Sequence, residues 1–221
     1  MVCYKQMERR IPTFEERLRE VVNISYRLLC EKIVGQDISI HNEASMQLHL
    51  SVIIKQIGVL YELSSSERFS IELESYEEIE STQKSSNGKA RCDIKIKLYD
   101  QITQEICTAF IELKYFKKSI NEAVTDNKFS LYCDLENLER YSLRDNSICY
   151  EILFTDNLNY TICNNYKFCI GDSHTITATK YPYTKGRSVE ISNNYELHWD
   201  IYKLIKDSEH NYCFLKIELN N

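Results

Sequence analysis

The chain has 221 residues, 43% hydrophobic and 27% charged, so it can bury a full core and falls outside the disordered class. With 33 acids against 27 bases the net charge is −6, which excludes a uniformly basic nucleic-acid coat but not bases gathered on one face. No apolar run approaches the ~20 residues that span a bilayer. The N-terminus lacks the apolar core of a secretory signal, so no membrane partner and a cytoplasmic location are expected.

In chain order, residues 13–34 read as a helix. Phe14, Leu18, Val21, Val22, Leu28, Leu29 and Ile33 recur at helical spacing after Pro12, and Gly35-Gln36-Asp37 stops it. A second helix is expected over 42–61, capped by Asn42, with Met46, Leu50, Ile53, Ile57 and Leu60 as its stripe. Strand signals follow at 68–76 and 91–99. In the latter, Cys92, Ile94, Ile96 and Leu98 alternate with Arg91, Asp93, Lys95 and Lys97. Residues 105–116 form a largely apolar third strand of central type. Ser119-Ile-Asn-Glu122 fits a capping box, and helical pieces anchored by Leu131, Leu135 and Leu138 fill 119–142. Residues 149–154 are again a strand. The stretch 159–219 is strand-rich, with 195–204 and 212–219 as a closing hairpin, although 196–205 also suits a helix. There is no repeat or linker, which predicts one domain over 1–221 with a core at about 43–155 and a C-terminal extension at 159–219.

Nine cysteines, odd in number and without CxxC spacing, read as buried reduced thiols and offer no zinc ligand cluster. The five histidines read as non-catalytic, and Asp134 and Glu136 as part of a solvated helix face.

Chemistry concentrates in two segments, residues 88–96 and 109–114. Glu112 and Lys114 are two apart on a strand and share a face. An acid and an ammonium on an apolar strand are costly to bury unless paired or used. If the flanking strands form a hairpin, Asp93 comes beside Glu112. Two converging carboxylates favour an oxygen-loving cation, Mg²⁺ or Mn²⁺. The bland alternatives are a surface Glu112–Lys114 pair and a solvated Asp93.

With Asp93 followed by Glu112-Leu113-Lys114, the sequence resembles the PD-(D/E)xK nuclease superfamily. Cys92 stands where the family name has Pro. The resemblance implies an α/β chain with a restriction-endonuclease-like core, in which helices flank a central mixed sheet and a strand-rich part follows. It further implies Asp93, Glu112 and the Leu113 carbonyl as ligands of Mg²⁺, with Mn²⁺ able to substitute, and Lys114 beside the attacking water. Glu43 is the candidate helix acid, reading equally well as a first-turn acid favoured by the helix dipole. No small-molecule cofactor is implied.

Positive charge gathers near these segments, at Lys84, Lys89, Arg91, Lys95 and Lys97 and at Lys117 and Lys118, as phosphate contacts require. Lys185 and Arg187 lie on a basic-aromatic loop that suits a DNA groove and equally a plain hairpin. The expected function is metal-dependent cleavage of double-stranded DNA by a homodimer, most like a type II restriction endonuclease. A nuclease of repair, transposition or phage defence is the alternative, as is a non-catalytic module binding nucleic acid or protein.

Overall fold

The computed structural model describes residues 10–78, 89–117, 124–163, 168–204 and 207–219. The Ser119–Glu122 capping box, Lys84 and Lys118 lie outside them.

Helix α1 spans Phe14–Val34. Thr13 and Glu16 cap it reciprocally, each side chain accepting from the other's backbone N–H. Phe14, Leu18, Val21, Val22, Leu29 and Ile33 are buried, whereas Leu28 faces solvent. Helix α2 spans Glu43–Gly58, with Asn42 accepting from the Ser45 N–H at 2.7 Å. It ends earlier than its apolar spacing suggests, at Gly58. A β-carbon there would lie 2.3 Å from the Phe69 ring, so the helix meets the sheet at a residue without a side chain. Leu60 falls in a following 3₁₀ turn and is exposed.

The strands are β1 (Glu67–Glu78), β2 (Lys89–Asp100), β3 (Ile106–Phe116) and β4 (Ser147–Thr155), with helix α3 (Val124–Ser142) between β3 and β4. Strands β1 to β3 form an antiparallel meander. The α3 crossover makes β3 and β4 parallel, as a connection of that length allows. Short strands follow at β5 (Thr175–Ile176), β6 (Thr179–Pro182), β7 (Ser188–Ile191) and β8 (Tyr195–Glu196), then β9 (Trp199–Leu204) and β10 (Asp207–Leu219). The six-stranded mixed sheet runs β1-β2-β3-β4-β10-β9, while β5 pairs with β8 and β6 with β7. The closing hairpin is thus strand, not helix, over 199–204.

One face of the sheet packs on α1 and α2 through Ile96, Leu98, Ala109, Ile111, Leu113 and Ile152. The other packs on α3 and the C-terminal excursion through Phe110, Leu153, Leu131, Leu135 and Leu138. A buried ion pair ties α1 to β1, with Arg17 donating to Glu67 at 2.6 and 3.1 Å. Acids of α3 hold the excursion. Glu136 accepts from the Glu190 N–H at 3.1 Å, and Glu139 from Ser192, Asn193 and Tyr195. Glu136 is therefore buried rather than on a solvated face.

Cys30, Cys92, Cys107, Cys133, Cys149 and Cys213 are buried and outside any disulfide, as the composition suggests. Burial pushes the Cys30 and Cys107 thiols up to about 12, so both stay protonated and unreactive near neutral pH. Cys163 and Cys169 depart from that expectation and form a disulfide.

Candidate active site

The site is built where β2 leaves β3. Along β2, Ala90 and Cys92 pack on the α3 side, whereas Ile94, Ile96 and Leu98 pack on the α1/α2 side. Residues of the same parity share a face in a flat strand, so β2 rolls over at Asp93. The ladder with β3 reaches Ile94↔Ile111. Beyond it the Asp93 side chain takes over from the backbone. Its Oδ2 accepts from the Leu113 N–H at 2.7 Å. Opposite, β1 is distorted at Glu74, whose φ of 55° is left-handed. Gln47 on α2 fixes this corner, its Nε2 donating to the Asp93 carbonyl at 2.7 Å and to Glu74 Oε1 at 2.9 Å.

The hairpin that places Asp93 next to the Glu112–Lys114 segment is therefore present. The contact is made through a side chain to the backbone rather than by strand pairing. Cys92, in the position where the resembled motif has Pro, is fully buried. Burial, reinforced by Glu112, pushes its thiol well up, and the S–H donates to the carbonyls of Ile94 and Ile111.

Glu112 and Lys114 both point to the α3 side of β3, and neither is a surface residue. Glu112 is fully buried and Lys114 is 7% exposed. Lys114 Nζ donates to the Leu113 carbonyl at 2.9 Å and lies 3.7 Å from Glu43 at the start of α2. Its tightest ion-pair partner is Asp134 of α3. Burial alone pushes the Lys114 ammonium down. Asp134, Glu151, Glu43 and Glu112 together outweigh it and hold the group well above its ordinary value, so it is charged.

Two of these acids were not assigned to the site from sequence. Asp134 is fully buried, which overturns its reading as part of a solvated face. It sits at the i, i+3, i+4, i+7 positions of the stripe Leu131–Asp134–Leu135–Leu138, and that spacing is the signal that places it inside. Glu151 is fully buried on β4, directly across the parallel ladder from Glu112. An acid inside the run Ile148–Phe154 is its signal.

The basic candidates divide. Lys95 Nζ is 2.5 Å from Glu77 and 4.0 Å from Glu72, and it lies over the Phe110 ring. Arg91 pairs with Glu74 at 2.6 Å, and Lys97 with Glu72 at 3.2 Å. The acids of β1 thus neutralise much of the charge that β2 carries. Lys89 and Lys117 are exposed. Lys185 is exposed in a left-handed turn with φ 59°. Arg187 stacks its guanidinium over Phe129 and Tyr183, at 5.1 and 4.8 Å.

Asp93, Glu112, the Leu113 carbonyl and Glu43 are all oxygen donors. Oxygen donors of this kind suit a hard divalent cation such as Mg²⁺ or Mn²⁺ rather than a thiophilic one.

No family model matches the sequence, and no curated protein sequence matches it. Among solved structures, an endonuclease/exonuclease/phosphatase family protein from Bacteroides thetaiotaomicron aligns at 11% identity. It covers 96% of this chain and 95% of its own, with a TM-score of 0.22. A mannosyl-6-phosphatase of the same species aligns at 11% identity over 94% and 96% of the two chains, TM-score 0.20. TDP2 from Caenorhabditis elegans aligns at 6% over 98% and 97%, TM-score 0.21. Scores this low reflect little shared geometry. No described helix is long and apolar enough to cross a membrane.

Proposed function

We propose that this chain is a metal-dependent endonuclease that hydrolyses phosphodiester bonds of double-stranded DNA. The observation that carries the reading is the convergence on one peptide unit. The Leu113 N–H is held by Asp93, its carbonyl by Lys114, and Lys114 reaches Glu43 on a different element. Three segments far apart in sequence thereby meet at Leu113 and Lys114, which supports the catalytic set that the PD-(D/E)xK resemblance implies.

On this reading Asp93, Glu112 and the Leu113 carbonyl hold Mg²⁺ or Mn²⁺. The Leu113 oxygen has two lone pairs, so it accommodates Lys114 and a cation together. The bound ion supplies Lewis-acid polarisation of the phosphoryl oxygen and a more acidic water. The charged Lys114 orients that water and offsets the charge that grows on the phosphoryl oxygens. Asp134 and Glu43 fix the ammonium in place. Lys89, Lys117, Lys185 and Arg187 are the candidate phosphate and base contacts, whereas Arg91 and Lys95 are paired with Glu74 and Glu77 of β1.

Sequence-specific double-strand cleavage, as by a type II restriction enzyme, is the finer proposal. It needs two sites and hence a homodimer. The test is incubation with a large, fully sequenced DNA in Mg²⁺, Mn²⁺ or EDTA. Discrete metal-dependent fragments support the finer reading. A smear supports a nuclease without sequence preference and removes the restriction assignment. The Lys114–Asp134 ion pair favours one competing reading, a nuclease-like fold that binds without cutting, in which that pair is purely structural. DNA binding with no cleavage in either metal would establish it.

A further inference from the structure

Away from the sheet, Cys163, Cys169 and His174 form a second cluster. Each offers a ligand atom, and these atoms lie within 4.8 Å of one another. No spacing motif announces them. Backbone geometry brings them together. Tyr132 of α3 donates to the Cys169 carbonyl at 2.8 Å, and the Trp199 indole N–H donates to the Ile170 carbonyl at 2.7 Å. The Asp172 N–H reaches the Thr161 carbonyl at 2.9 Å, which folds the segment back beside Cys163. The His174 N–H bonds the Gly171 carbonyl at 3.3 Å, and its own carbonyl accepts from Leu197 at 2.9 Å.

Gly171 is the hinge of this arrangement. A β-carbon there would lie 2.7 Å from the Cys163 nitrogen and 2.8 Å from its sulfur, so only glycine lets the two stretches approach. Its N–H points at Cys169 Sγ at 3.4 Å. A backbone N–H aimed at a cysteine sulfur stabilises negative charge on it, as a thiolate ligand requires.

Cys163 and Cys169 are joined as a disulfide with Cα atoms 5.4 Å apart. We propose that, once this disulfide is reduced, the same residues hold a zinc ion through two thiolates and the His174 imidazole, with the fourth position open to solvent. Tetrahedral Zn–S and Zn–N bonds keep ligand atoms roughly 3.5–4 Å apart, so the two sulfurs, bonded to each other in the disulfide, separate on reduction while the imidazole stays within reach. Two sulfurs and one nitrogen are the donors zinc prefers, unlike the all-oxygen set at Asp93 and Glu112. Cys163 is exposed, so the ion has a way in. The redox step balances with a dithiol reductant. The S–S bond breaks, two protein thiols form, and the reductant closes to its own disulfide. Zinc binding then releases the two thiol protons.

The test uses the full chain, reduced, freed of reductant under nitrogen, and shown folded by circular dichroism. Titration with Co²⁺ should give an intense sulfur-to-cobalt charge-transfer band that saturates at one equivalent and is erased by Zn²⁺. Cys163→Ser and Cys169→Ser should each abolish it, and Cys133→Ser should leave it intact. Gly171→Ala should weaken binding by about 10- to 100-fold, and His174→Ala, which removes a ligand, by at least as much. The proposal is overturned if the reduced, folded wild type gives no such band. It is equally overturned if the band survives in both serine variants, or if His174→Ala binds as tightly as wild type.

Discussion

Replacing Asp134 by Ala separates two views of α3. A residue on a solvated helix face changes stability by no more than about 0.5 kcal/mol when substituted. The structure instead buries Asp134 completely and pairs it with Lys114, itself 7% exposed. Removing one partner of a buried ion pair leaves the other charge desolvated and costs about 3–5 kcal/mol. Glu151, Glu43 and Glu112 still act on Lys114, which places the expected loss toward the lower end of that range. For a domain of this size a loss of 3 kcal/mol lowers the Tm by roughly 6–12 °C. Urea denaturation of the wild type, Asp134→Ala, Lys114→Met and the double variant gives the coupling energy directly. The double variant should be more stable than Asp134→Ala, because it no longer buries an ammonium beside the missing carboxylate. A loss below 0.5 kcal/mol for Asp134→Ala, or additive single effects, would refute the buried pair.

Gly58→Ala gains about 1 kcal/mol of helix propensity but forces a β-carbon against the buried Phe69 ring, where overpacking costs about 1–3 kcal/mol. A net loss in urea titrations is expected, relieved when Phe69→Leu is added. The Arg17 guanidinium holds the Glu67 carboxyl below its usual range, so its contribution is full above the unfolded pKa of about 4.3 and fades as pH falls through the lower folded value. The stability gap between wild type and Glu67→Gln should therefore shrink below about pH 4.3, and parallel curves would contradict the linkage. In salt titrations of DNA binding, Lys185→Ala should reduce the slope by about 0.9 per phosphate lost, whereas Lys95→Ala, committed to Glu77, should leave the slope unchanged.

Local signals carried far in this sequence. Asn42 marks the start of α2 because capping uses only neighbouring residues, and the alternation of residues 92–98 marks β2 because one face of that strand is buried. The Glu112-Leu113-Lys114 run reads as a site because charge is rare in so apolar a strand. Non-local pairings were hidden. Glu72, Glu74 and Glu77 neutralise the bases of β2 only because β1 lies antiparallel beside it, which no local pattern states. Asp134 was masked by its polarity although its spacing belongs to the leucine stripe. Leu28 and Leu60 err the other way, being apolar residues at helical spacing that solvent reaches. Cys163, Cys169 and His174 meet through a turn at Gly171 that has no sequence signature.

The proposed activity of the Asp93–Glu112–Lys114 corner is cleavage of DNA with a divalent cation. The most direct measurement is the rate of supercoiled-plasmid cleavage by the wild type and by Glu112→Gln, a neutral side chain of the same shape, with and without Mg²⁺ and with folding of both confirmed by urea titration. The expected result is cleavage by the wild type that EDTA stops and that Glu112→Gln loses. Cleavage that persists in a folded Glu112→Gln protein, or a wild type inactive in both Mg²⁺ and Mn²⁺, would contradict it.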